Sequence, residues 1–169
     1  MTQAEQEALT PDEVITAMME GNARFVSGEL TDPDIDERIT ISAMGQYPKA
    51  VVLSCLDSRV PVELVFDQGI GDIFVGRVAG NIENVHQLGS MEFATKLSGA
   101  KLVMVLGHSG CGAIKGAVDG AELGNLTALL KEDSSGGGWG GRVRTRGAHV
   151  QECGIRGQGG RGECASDGG

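Results

Sequence analysis

Ala50-Val51-Val52-Leu53-Ser54-Cys55-Leu56-Asp57-Ser58-Arg59 is the stretch on which the reading of this chain turns. Four consecutive apolar residues, from Ala50 to Leu53, lack the alternation expected of a sheet with one wet face. Residues 49–55 therefore read as a strand buried on both sides. A second run of the same character, Leu102-Val103-Met104-Val105-Leu106, is followed by His108-Ser109-Gly110-Cys111. Each chemistry-bearing cluster thus sits where a short buried strand ends. A fold that sets the two tips side by side brings two thiols and one imidazole together, the donor set of a tetrahedral zinc site with three protein ligands and one further position.

Working outward, residues 72–78 read as another strand, 85–97 and 111–118 as helices, and 61–66 as a short helix with Pro61 in its first turn. Strands separated by helices imply a parallel sheet with right-handed crossovers. The expected fold class is accordingly α/β, a parallel-sheet core with flanking helices, and sites in such sheets collect at the carboxyl ends of strands. Upstream, Thr10-Pro11-Asp12-Glu13 carries a helix start, with Thr10 as N-cap, Pro11 at the first helical position and Glu13 placed to close a capping box. Val14, Ile15, Met18, Met19 and Phe25 supply the apolar stripe of that helix, and Asn22 and Arg24 read as its polar face. Residues 28–47 read as a surface connection with some helical turn over 35–44, and 120–130 as one more helix.

At 169 residues the chain has the length of one domain, and a formal net charge of -9 argues against a phosphate-binding surface, so nucleic acid is not an expected partner. Met1 to Glu7 has neither a basic start nor an apolar stretch, and no apolar run approaches the ~20 residues of a membrane span. No membrane partner is expected, and the location expected is cytoplasmic. In that compartment the four cysteines read as reduced thiols and metal ligands rather than a disulfide framework. After residue 131 the composition shifts abruptly to Gly, Arg and Ser, opening with Gly136-Gly137-Gly138-Trp139-Gly140-Gly141. With no apolar period of either kind, residues 132–169 are expected to be irregular or disordered, and Cys153 and Cys164 within them receive no role.

Cys55-x-Asp57-x-Arg59 followed by His108-x-x-Cys111 resembles the β-class carbonic anhydrases. The likeness extends to Glu20-Gly21-Asn22-x-Arg24-Phe25, Gly71-Asp72-x-Phe74, Arg77-x-Ala79-Gly80-Asn81 and Gly107-His108-Ser109-x-Cys111-Gly112, and runs from about Thr10 to about Leu130. The resemblance implies a zinc domain over residues 1–131 that reversibly hydrates carbon dioxide to bicarbonate, a carbonate dehydratase or lyase, working as a homodimer or higher homo-oligomer. It implies Zn2+ on Cys55, His108 and Cys111. Asp57 and Arg59 are its catalytic pair, with Asp57 either taking the fourth metal position in a closed state or pairing with Arg59 in an open one. The implied substrate pocket consists of Gln46, Phe74, Ala79 and the amide of Gly112. The family's last strand is not recognisable in 132–169, so the fold is expected to lack it. Two other readings stay open: a zinc-binding but inactive, incompletely folded product, and a carbon disulfide or carbonyl sulfide hydrolase.

Overall fold

The computed structural model describes residues 1–32 and 34–132 and the backbone of 149–155. Two capped helices begin the chain. Helix α1, Gln3–Ala8, is not anticipated by any apolar period; it forms on a capping box in which Thr2 and Glu5 satisfy each other's backbone N–H groups. Its buried Gln6 donates to the carbonyls of Pro48 at 2.7 Å and Ser98 at 2.8 Å, which fastens α1 to the two chain segments beneath it. Helix α2, Pro11–Ser27, starts with the expected Thr10–Glu13 box and stops at Gly28, whose φ of 83° suits glycine.

Asn22 and Arg24 are not a solvated face of α2. Asn22 is buried and donates to the Val65 carbonyl at 3.0 Å, and Arg24 pairs with Asp67 at 2.5 Å. Both tie α2 to the end of the short helix α4, Val62–Val65. The crossing is close: a Cβ on Gly21 would lie 1.9 Å from the Phe66 carbonyl oxygen. Gly21→Ala therefore forces the two segments apart, and the better helix propensity of alanine does not offset the clash. A destabilisation of about 1–3 kcal/mol is expected, read as a lower midpoint in denaturant titration with unchanged slope.

Helix α3, Ile35–Ser42, falls where helical turn was expected. Strands β1, Ala50–Cys55, β2, Ile73–Val78, and β3, Leu102–His108, join β4, His149–Ile155, in a sheet ordered β2-β1-β3-β4 with every neighbouring pair parallel. Strand β1 is buried along its whole length because both faces are covered. Ala50 and Val52 pack with Val14, Met18, Phe66 and Met104 on one side, while Val51 and Leu53 pack with Met91, Ala94 and Val103 on the other. The second layer comes from helix α5, Val85–Glu92, which runs on into a wider turn over Phe93–Leu97, so the single helix expected over 85–97 changes pitch partway. Helices α6, Gly112–Val118, and α7, Gly124–Glu132, follow β3.

Strand β4 corrects one expectation, since residues 149–155 are neither irregular nor absent from the sheet. They take ladder hydrogen bonds from the free edge of β3, from Leu102↔His149 to His108↔Ile155. An edge strand can be held by its neighbour's backbone without an apolar pattern of its own. The remainder of the tail, including Trp139 and Cys164, lies outside the described residues.

Candidate metal centre

The sheet order makes the site. Strand β1 connects to β2 on one side and β3 lies on its other side, so the chain changes direction across the sheet between β1 and β3. Ligand sites in open parallel sheets form at the carboxyl ends of the strands flanking such a switch. Cys55 ends β1, His108 ends β3, and Cys111 is the N-cap of α6, three residues further on.

These three side chains converge as the sequence anticipated. One ligand atom from each lies within 4.8 Å of the others, and the two sulfurs are 3.8 Å apart. Nδ1 of His108 is 3.0 Å from the Ser109 carbonyl, which can only accept, so the ring proton sits on Nδ1 and Nε2 presents a lone pair. That Nε2 is buried without a hydrogen-bond partner. A buried, orphaned imidazole nitrogen beside two thiols is the donor set of a zinc ligand group. The spacing fits as well, because two sulfurs at about 2.3 Å from one tetrahedral zinc stand about 3.8 Å apart.

Backbone amides supply what the residue types do not reveal. Burial pushes the Cys55 thiol up, but donors that include the N–H groups of Asp57 and Gly80 outweigh it, and the net shift is downward. Burial also pushes Cys111 up; the N–H groups of Ile114 and Ala113 oppose it, and the neighbouring Cys55 leaves the balance upward. Cys55 is thus the readier thiolate. The Gly80 amide reaches it because the turn Ala79–Asn81 bends through φ 74° at Gly80, a conformation that glycine adopts without strain.

Asp57 is gripped by Arg59. The guanidinium donates from Nε to Oδ1 at 2.9 Å and from Nη2 to Oδ2 at 2.7 Å, and the Arg59 backbone N–H adds a bond to Oδ1 at 2.9 Å. These donors hold the Asp57 carboxyl far below the usual carboxylate range. Oδ2 lies 3.8 Å from Nε2 of His108, so the carboxylate borders the cluster while paired with arginine. Of the two arrangements expected for Asp57, the arginine-paired one is present.

The expected substrate pocket is only partly assembled. Ala79 directly follows Val78, the register partner of Cys55, and so lies at the cluster end of the sheet. Gly112 opens α6, although the amides that face the Cys111 sulfur belong to the next two residues. Gln46 is exposed in the connection that enters β1 at the end away from Cys55. Phe74 pairs in register with Val51, four positions before the Cys55 partner, and stacks edge-on against Phe93 with ring centroids 6.2 Å apart. Within one chain, neither Gln46 nor Phe74 joins the cluster.

The carbonic anhydrase family model matches residues 50–135. Carbonic anhydrase 2 of Mycobacterium tuberculosis strain H37Rv is 45% identical over 112 residues, which cover 65% of this chain and 54% of that protein. The carbonic anhydrase of Mycolicibacterium smegmatis is 43% identical over 119 residues, covering 69% and 57%. The chain thus spans about half the length of the curated relatives it matches. Among solved structures, one of two tetrameric β-carbonic anhydrases from the filamentous ascomycete Sordaria macrospora aligns with a TM-score of 0.59 at 22% identity, over 70% of this chain and 80% of that one. The shared element is the fold.

Proposed function

The chain belongs to the β-class carbonic anhydrase family, and from that membership we propose that it catalyses the reversible hydration of carbon dioxide to bicarbonate and a proton, with zinc held by Cys55, His108 and Cys111. One observation carries the reading: the buried Nε2 of His108, without a hydrogen-bond partner, sits beside two sulfurs 3.8 Å apart, one at the end of β1 and the other at the start of α6. When bound, zinc supplies Lewis acidity that makes water a nucleophile near neutral pH.

The chain's own residues do the rest. The Nδ1 bond from His108 to Ser109 fixes the ring so that Nε2 keeps its aim, and the amides around each sulfur spread the charge of two thiolates packed side by side. Arg59 holds Asp57 turned toward it and leaves Oδ2 bordering the cluster. From there Oδ2 accepts a hydrogen bond from the attacking water and points that water's lone pair at the carbon of the substrate. Ala79, at the cluster end of the sheet, offers the uncharged, apolar substrate an apolar wall.

In this proposal the zinc domain is residues 1–131, to which β4 adds an edge strand. Gln46 can orient substrate only if a second copy of the chain brings it to the cluster, so the functional unit is a homodimer or a multiple of it. Exposed apolar side chains at Val85, Phe93 and Leu97, beside a cavity of about 720 Å³ lined by Phe74 and Met91, support burial against another copy. Among the described residues no helix is long and apolar enough to cross a membrane. The location proposed is cytoplasmic.

The competing reading is a zinc-binding protein without activity. Stopped-flow carbon dioxide hydration, run beside metal analysis of the same preparation, separates the two. Zinc near one per chain with hydration well above the buffer rate is expected; zinc near one with only the buffer rate leaves the inactive reading standing.

A further inference from the structure

Arg77, on β2, hydrogen-bonds to the backbone that carries the cluster rather than to the sulfurs or the imidazole. Its guanidinium donates from Nε to the Cys55 carbonyl at 2.9 Å and from Nη2 to the Asp57 carbonyl at 2.5 Å. One rigid fork therefore grips the loop on both sides of Leu56. The peptide between the two gripped carbonyls carries the Asp57 N–H, which faces the Cys55 sulfur.

We propose that Arg77 is a positioning residue for the metal centre: by bridging the carbonyls of Cys55 and Asp57 it sets the peptide planes that aim the Cys55 sulfur at the metal and the Asp57 carboxylate at Arg59. The proposal rests on the zinc-enzyme reading above and deepens it. Few other backbone contacts restrain this loop. Leu56 N–H donates to the Val78 carbonyl at 3.2 Å, and Val60 N–H donates to the Asp57 carbonyl at 3.1 Å. The first holds the Cys55–Leu56 peptide by its N–H end; Arg77 fixes the same plane by its carbonyl end and reaches on to the Asp57 carbonyl, so without it that plane pivots on one 3.2 Å bond. A fork is needed because two acceptors two residues apart must be fixed relative to each other. A lysine ammonium supplies the charge from a flexible stem but not that fixed pair of donors. Arg77 sits opposite Ser54 in the β1–β2 register, one residue before Cys55, which sets its reach over the end of β1.

The test uses the full chain, its Arg77→Lys and Arg77→Met variants, and two readouts. The first is the visible spectrum of the cobalt(II)-substituted protein, which reports ligand geometry; the second is the split between kcat and KM for carbon dioxide hydration. Arg77→Lys is expected to melt cooperatively, to bind one cobalt with an altered spectrum, and to lose about 10–100-fold in kcat with KM nearly unchanged, the range seen when groups that orient metal ligands are removed. Arg77→Met is expected to lose at least as much, and if it fails to fold the lysine variant decides. A lysine variant with the parent spectrum and parent kcat overturns the proposal. So does a kcat loss that merely follows the fraction of unfolded chain while the spectrum of the folded part is unchanged. If the unsubstituted chain binds cobalt but hydrates no carbon dioxide, the proposed function fails on its own, and the spectral comparison still decides the role of Arg77.

Discussion

His108→Ala is expected to leave the purified chain with less than about a tenth of a zinc per molecule and to bring hydration down to the buffer rate, a loss of more than about 10³-fold. The reasoning starts from ligand count. Cys55 and Cys111 alone offer two sulfurs, and a two-ligand site keeps too little of the binding free energy to hold zinc through dialysis. The fold should survive, because His108 contributes its backbone to the β3 ladder and its side chain makes one hydrogen bond, to the adjacent Ser109. Metal binding to the folded chain alone raises its stability by mass action. Excess zinc should therefore raise the melting temperature of the parent and leave that of His108→Ala in place. Metal analysis and thermal melts with and without zinc check both halves. A variant that still carries about one zinc and hydrates carbon dioxide would remove Cys55, His108 and Cys111 as the ligand set.

What was legible in the sequence follows from what sequence encodes directly. Strands β1 and β3 stand out because both faces are covered, which turns alternation into unbroken apolar runs, and the Thr10–Glu13 box announces α2 because capping requires particular side chains at fixed spacing. Residue identity also marks the three proposed ligands, since few other roles call for Cys, His and Cys at and just beyond two strand ends. By contrast, the amides of Gly80, Ala113 and Ile114 carry no signature, because every residue but proline offers one. Asn22 and Arg24 looked like a wet helix face because their partners, Val65 and Asp67, lie 43 residues away in sequence. Helix α1 rests on capping and the Gln6 anchor rather than on periodicity, and β4 rests on the edge of β3. Gln46 shows the limit of spacing: nine residues before Cys55 fixes a separation along the chain but not which end of β1 the side chain attends.

Asp57→Asn tests the proposed catalytic pair, and here zinc should stay while hydration falls by about 10²–10³-fold. Asparagine preserves the shape of the side chain and can still accept one bond from Arg59, so the ligand cluster, which Asp57 borders at 3.8 Å from His108 Nε2, keeps its three donors. Two things are lost. The amide cannot accept at both ends, so the paired grip of Arg59 through Nε and Nη2 reduces to a single bond and the side chain is free to turn. A neutral amide is also a poorer acceptor than a carboxylate, so the attacking water is held less firmly in the orientation that reaches carbon. Because this interaction belongs to the reacting geometry rather than to binding of an uncharged substrate, the loss should appear in kcat, with KM changed little. Arg59→Lys separates the two contributions, since it leaves the Asp57 charge in place and removes the fork that fixes it; a smaller kcat loss than that of Asp57→Asn is expected, again with zinc retained. Should Asp57→Asn keep parental kcat with zinc bound, Asp57 takes no part in activating water, and the Asp57–Arg59 pair reduces to an ion pair at the rim of the site.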